Sequence, residues 1–139
     1  VVTLAPAAVG LARSGRFVRV ELGEWRALPD RTKYRSVFVA KVNGAWVGYA
    51  NVCRHHPVEL DVPDLSVDEK SGVRLALVGQ DGQSLMCASH GAIYRARDGY
   101  CTTGPCSGTS LARVPVQESM DASGEAVVTV GDDGGADLV

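Results

Sequence analysis

The stretch SVFVAKVNGAWVGYAN, residues 36–51, decides the fold. Two runs of apolar residues flank Asn43-Gly44. Asn-Gly is the strongest short hairpin signal, because a type I′ turn needs positive φ at both central positions. The reading is therefore a β-hairpin with arms at 36–42 and 45–51. The same punctuation recurs outward from it. Residues 16–22 (RFVRVEL) read as a preceding strand. Residues 73–78 and 84–87, joined around Asp81-Gly82, read as a second hairpin. Residues 92–95 and 100–102, joined at Asp98-Gly99, read as a third, and 111–117 and 126–130 as closing strands. No long segment has helical periodicity, although 24–28 is compatible with one helical turn. The expectation is an all-β domain of short antiparallel strands.

Size and charge narrow the function. The chain has 139 residues, which suits one domain with a real hydrophobic core. Its formal net charge of −2 gives no basic surface for nucleic acid or an anionic membrane. No apolar run approaches the ~20 residues that span a bilayer. The apolar start, residues 1–12, begins without basic residues and is interrupted by Pro6 and Gly10, so it reads poorly as a signal peptide. These features lead to an expectation of a cytoplasmic protein without nucleic-acid or membrane partners. Residues 57–72 lack periodicity and carry Glu59, Asp61, Asp64, Asp68 and Glu69 against Lys70, as a solvated loop would. The acidic, glycine-rich end from 131 reads as a flexible tail.

The chemistry lies in the cysteines and histidines. There are four of the former (Cys53, Cys87, Cys101, Cys106) and three of the latter (His55, His56, His90). Cys53-Arg54-His55 and Cys87-Ala88-Ser89-His90 each offer one thiolate and one imidazole directly after an expected strand. Loops at the tips of adjacent hairpins would bring these four ligands together. The set suits tetrahedral zinc, or a [2Fe–2S] cluster with two cysteines on one iron and two histidines on the other. Spacing alone does not decide between them. Zinc sites more often place like ligands close together, whereas here each loop mixes sulfur and nitrogen. The bland reading is buried cysteines beside surface histidines. His56 reads as a surface or shielding residue, Cys101 and Cys106 as buried fillers. Trp25, Trp46, Phe17 and Phe38 read as core.

CRHHPVELD at 53–61 and CASHGAIY at 87–94 resemble the two cluster loops of the Rieske family. Gly104-Pro105-Cys106, ahead of Leu111 and Pro115-Val116, resembles its third, proline-containing loop. The resemblance spans residues 17–130. It implies an antiparallel Rieske-type β-sandwich with a small cluster-binding subdomain of two hairpin loops. It divides the chain into an N-terminal extension (1–15), the Rieske domain (16–130, with its cluster-binding part at 52–106) and a tail (131–139). On this resemblance the cofactor is a [2Fe–2S] cluster. Cys53 and Cys87 would bind the inner iron, His55 and His90 the outer, exposed one. The gap between the loops is longer than in most small Rieske ferredoxins.

The branch of the family follows from departures. Membrane-complex Rieske proteins have two further cysteines that clamp the loops; the matching positions are Val58 and Ser89. The hydroxyl residue two after the second histidine is Ala92, while Tyr94 matches the family's tyrosine. With one hydrogen-bond donor fewer, the potential is expected toward the lower part of the range from about −150 to +300 mV. Oxygenase α-subunits add a two-histidine, one-carboxylate iron site, but the cluster would leave only His56. The resemblance therefore implies a non-enzymatic one-electron carrier between a flavin-dependent reductase and a terminal oxygenase. A zinc-stabilised interaction module and a cluster-bearing small subunit of a larger oxidoreductase are the alternatives.

Overall fold

In the computed structural model, residues 2–54, 58–61, 67–79, 81, 83–89 and 91–131 are described. The expected turn residue Gly82 and the tail from 132 lie outside them, as do His55, His56 and His90. Among the described residues the elements are β1 (Val2–Thr3), α1 (Pro6–Arg13), β2 (Val18–Ala27), β3 (Lys33–Val42), β4 (Ala45–Ala50), β5 (Leu85–Met86), β6 (Ile93–Tyr94), β7 (Cys101–Thr103), β8 (Val116–Met120) and β9 (Ala126–Val130). They form three antiparallel sheets, ordered β2-β3-β4, β1-β9-β8 and β5-β6-β7. The all-β expectation holds.

The Asn-Gly hairpin forms as read. Val42 pairs with Ala45, and Asn43 and Gly44 sit at φ 51° and 81°. β3 is the central strand of its sheet and is covered on both faces. Val37 and Val39 enter one apolar core with Val18, Val20, Ala50, Val114, Val128 and Val130. Phe38 and Ala40 enter a second core with Tyr49, Leu85, Tyr94 and Leu111. Alternation of side chains along a strand thus feeds two cores at once. The first core lies among β2-β3-β4, β1-β9-β8 and α1; the second lies toward the small sheet and holds all four cysteines.

Several elements differ from expectation. Residues 24–27, compatible with a helical turn, instead continue β2. The pairing with β3 shifts between Glu21 and Arg26 and then resumes at Arg26–Tyr34, with Gly23 at φ 81°. A bulge, not a helix, absorbs the irregularity. The swing carries Trp25 out of the core: it is 59% exposed, with the Arg35 guanidinium 5.1 Å from its ring centroid. Trp46 is only half-buried, and its indole N–H donates to Glu118 at 2.7 Å. Phe17 and Phe38 are core residues as expected.

The segment before residue 16 contributes structure. β1 pairs with β9, and α1 begins at Pro6, which suits the first helical turn. Leu4, Ala8 and Ala12 bury themselves in the first core. The expected strand 111–117 splits at Pro115. Its first part lies on β4 through Val114 N–H to Gly48 O (2.8 Å) and Ala50 N–H to Ala112 O (2.9 Å); its second begins β8. Gly48 allows that approach, since a Cβ there would stand 2.6 Å from Val116 Cγ2 and 2.8 Å from the Val114 carbonyl.

Candidate metal centre

The two cysteine loops leave the second core side by side. β4 ends at Ala50, and Cys53 follows; its N–H donates to the Val58 carbonyl at 2.8 Å. β5 ends at Met86, and Cys87 follows; its N–H donates to the Ala92 carbonyl at 2.9 Å, while Gly91 N–H returns to the Cys87 carbonyl at 2.9 Å. One backbone bond joins the loops directly, from Ala88 N–H to the Leu60 carbonyl at 2.8 Å. Val58 and Ser89 offer no thiols, and this bond and apolar packing in the second core are among the contacts that hold the loops together.

Both thiols are buried, Cys53 at 4% exposure and Cys87 at 0%, in the same apolar core with Leu60, Ala92 and Tyr94. The imidazoles expected with them, His55 and His90, lie outside the described residues, as does His56. Among the described residues no group of three or more histidine, cysteine or acidic side chains gathers as a metal site. What is described fits a cysteine-bound iron: two sulfur ligands in an apolar, water-poor setting, with a hydroxyl directed at one of them. That hydroxyl is Tyr94 Oη, 3.4 Å from Cys53 Sγ. It also accepts the Arg54 N–H at 3.0 Å, which fixes its position. Burial, with the neighbouring Cys106 and Cys53 sulfurs, raises the Tyr94 pKa far above the ordinary phenol value, so it remains a donor. Ala92 is fully buried and supplies no hydroxyl.

Only part of the acidic stretch after the first loop is the solvated face its composition suggested: Glu69 and Lys70 are exposed, Asp64 lies outside the described residues, and Glu59 and Asp61 are drawn inward. Glu59 and Asp61 face β2 and hold the loop in place. The Arg19 side chain is 3% exposed, and it donates to Asp61 Oδ1 and Glu59 Oε2 at 2.8 Å each and to Glu21 Oε1 at 2.6 Å. Arg74 donates to the other Asp61 oxygen at 2.6 Å. Asn51 adds its amide to Asp61 at 3.0 Å and accepts Leu60 N–H at 2.7 Å; Ser36 donates to Glu59 at 2.8 Å. Burial alone would lower the Arg19 pKa, but its bond to Glu21 and the Asp61 and Glu59 charges outweigh it, and the net shift is upward. The pairing is across the sequence, with β2 opposite the loop, so charge counting along the loop could not reveal it. Asp68, further on, accepts from Arg16 and Ser71.

The third loop lies over the second. Gly104 has φ +104°, and a Cβ on it would stand 3.0 Å from Ala92 Cα. Cys101 and Cys106 are buried, as expected, but they do more than fill space. Their sulfurs are 2.8 Å apart, and Cys106 Sγ is 3.1 Å from Tyr94 Oη. The sequence reading of two buried fillers misses this approach. Among the described residues no helix is long and apolar enough to cross a membrane.

Comparison with known proteins agrees with this architecture. No curated protein sequence matches the chain. The terminal oxygenase of carbazole 1,9a-dioxygenase from Novosphingobium sp. KA1 is 24% identical, with a TM-score of 0.51; the match covers 94% of this chain and 29% of that one. The corresponding oxygenase from Nocardioides aromaticivorans IC177 is 22% identical, with a TM-score of 0.39, over 90% of this chain and 33% of that one. A reduced complex between oxygenase and ferredoxin in carbazole 1,9a-dioxygenase is 22% identical, with a TM-score of 0.40, over 89% and 30%. The first likeness shows a shared fold, and the chain spans about a third or less of the length of these structures. The profile of the Rieske [2Fe-2S] domain matches residues 11–119, most of the chain. The buried cysteine pair, the tyrosine at its edge and the antiparallel frame beneath it are thus those of a chain that belongs to the Rieske [2Fe-2S] domain family, with a [2Fe–2S] cluster as its cofactor.

Proposed function

We propose that the protein is a one-electron carrier whose cluster is held by Cys53, His55, Cys87 and His90. In this reading it passes electrons from a flavin-dependent reductase to a terminal oxygenase and performs no catalysis of its own. The observation that carries it is the burial of Cys53 and Cys87 in one core, on loops joined by the Ala88–Leu60 bond, with Tyr94 directed at Cys53. The cluster supplies the redox chemistry. The chain's own residues exclude water from the sulfur side, fix the loops through Asn51, Asp61 and Arg19, and set the potential through Tyr94.

Purified protein is expected to be red-brown, to contain iron and acid-labile sulfide, and to show a Rieske EPR signal after dithionite. Colourless protein with stoichiometric zinc would establish the interaction module instead. With two imidazole ligands, the potential falls at alkaline pH as they deprotonate in the oxidised state; a flat profile counts against His55 and His90. A second reading is a cluster-bearing small subunit of a larger oxidoreductase; the chain covers 29% of the solved oxygenase whose fold it shares. Mixing with a reductase and an oxygenase distinguishes the two: a carrier shuttles between separable partners, whereas a resident subunit co-elutes with one.

A further inference from the structure

Four groups line up at the buried edge of the site: Cys53 Sγ, Tyr94 Oη, Cys106 Sγ and Cys101 Sγ, at successive separations of 3.4, 3.1 and 2.8 Å. The proposed carrier function uses the first two. The last two are thiols closer together than any non-bonded requirement of packing demands, and less than an ångström of movement separates them from the ~2.05 Å of a disulfide. The backbone keeps them there. Cys101 N–H donates to Thr109 O at 2.7 Å, Thr109 N–H to Cys106 O at 3.0 Å, and Thr109 Oγ1 to the same carbonyl at 2.6 Å.

We propose that Cys101 and Cys106 are a modification site, joined as a disulfide by a peroxide, and that this bond retunes the Tyr94 hydroxyl facing Cys53. The chemistry balances in two steps. Cys106–SH and hydrogen peroxide give Cys106–SOH and water. Cys101–SH then displaces the hydroxyl, giving the disulfide and a second water; two electrons pass from the sulfurs to the O–O bond. Cys106, at 5% exposure against 0% for Cys101, is the thiol an oxidant reaches first. Cys101, fully buried with its sulfur 2.8 Å from that of Cys106, is the thiol placed to resolve it.

The consequence follows from proton counting. A Cys106 thiol can donate to Tyr94 Oη, leaving the phenol proton for Cys53. A disulfide sulfur has no proton and can only compete for that one. The bond from Tyr94 to Cys53 weakens, and the potential of the cluster falls. This coupling, though not the pair itself, rests on Cys53 holding the cluster.

The test treats the holoprotein with increasing hydrogen peroxide, then unfolds, alkylates and maps it by mass spectrometry, with iron counted in parallel. The expected product is two hydrogens lighter, with Cys101 and Cys106 both protected from alkylation and iron retained. Cys101→Ser and, as a second variant, Cys101→Ala lose that product and accumulate a sulfenic acid on Cys106 that dimedone traps. Alkylation of both thiols after excess peroxide, with iron retained, would overturn the proposal. So would independent overoxidation of each. EPR-monitored titration should give a lower midpoint for the disulfide form than for the dithiol, and no such change in Cys101→Ala. A disulfide that leaves the midpoint unmoved overturns the coupling. Absence of iron and EPR signal from untreated protein would instead overturn the carrier reading, while the thiol map would still be read.

Discussion

Replacing Tyr94 with Phe removes one oxygen from a fully buried side chain and keeps the ring that fills the second core. That oxygen stands 3.4 Å from Cys53 Sγ and accepts Arg54 N–H at 3.0 Å, so two effects follow. The first is on potential. A hydrogen bond to sulfur stabilises the more negative, reduced cluster more than the oxidised one. A bond to a charged acceptor contributes about 1.5–3 kcal/mol, and only the part that differs between oxidation states counts. For a long O–H···S contact that part is about 1 kcal/mol. A one-electron couple moves by 59 mV for each tenfold change, or about 1.4 kcal/mol, so the midpoint drops by about 40 mV. The second effect is on stability. Arg54 N–H loses its partner in a part-buried position, at a cost of about 1–3 kcal/mol. EPR-monitored redox titration measures the first and urea unfolding the second. A fully loaded Tyr94→Phe variant with an unmoved or raised midpoint would refute the reasoning.

Other perturbations test other parts of the frame. Asp61→Ala removes the fully buried carboxylate and leaves Arg19 with Glu21 and Glu59 alone, and is expected to cost about 1.5–3 kcal/mol in urea unfolding and to lower cluster retention. A Gly48→Ala substitution forces a methyl against the Val114 carbonyl and Val116, and about 1–3 kcal/mol of stability should go, with the cluster spectrum unchanged. Asp81 accepts N–H bonds from Ser84 and Gln83, which depress its pKa to about 2. A carboxylate with a depressed folded pKa stabilises above its ordinary value of 3.8 and loses that contribution as pH falls toward about 2. The acid limb of the wild-type stability curve should therefore be steeper over this window than that of Asp81→Asn.

What the sequence disclosed was local. Asn43-Gly44 dictates its own turn, and the apolar runs flanking it, rich in valine and aromatic residues, specify strands. The candidate ligand loops stood out because each sets a cysteine and a histidine within a few positions; the two cysteines share one core, and the histidines lie outside the described residues. What it hid depends on partners far along the chain. Trp25 reads as core by type, yet a bulge between Glu21 and Arg26 swings it into solvent. Asp61 reads as loop charge, yet Arg19 on β2 and Arg74 make it the anchor of the first loop. Residues 6–13 show little helical pattern by eye, but small residues at Ala8 and Ala12 let a helix sit close on the sheets. The approach of Cys106 to Tyr94 has the same character: it follows from the fold of the third loop over the second, not from spacing alone.

The two-sided burial of β3 has a bearing on how the sequence can drift. An ordinary half-exposed strand tolerates change at every second position, whereas here neighbouring residues answer to different interiors. Sliding the strand by one residue would deliver Phe38 and Ala40 where paired valines belong, and the reverse on the opposite side. Misregistered hairpins are thus penalised twice, and the scaffold beneath the metal centre has a single alignment in which both volumes are filled.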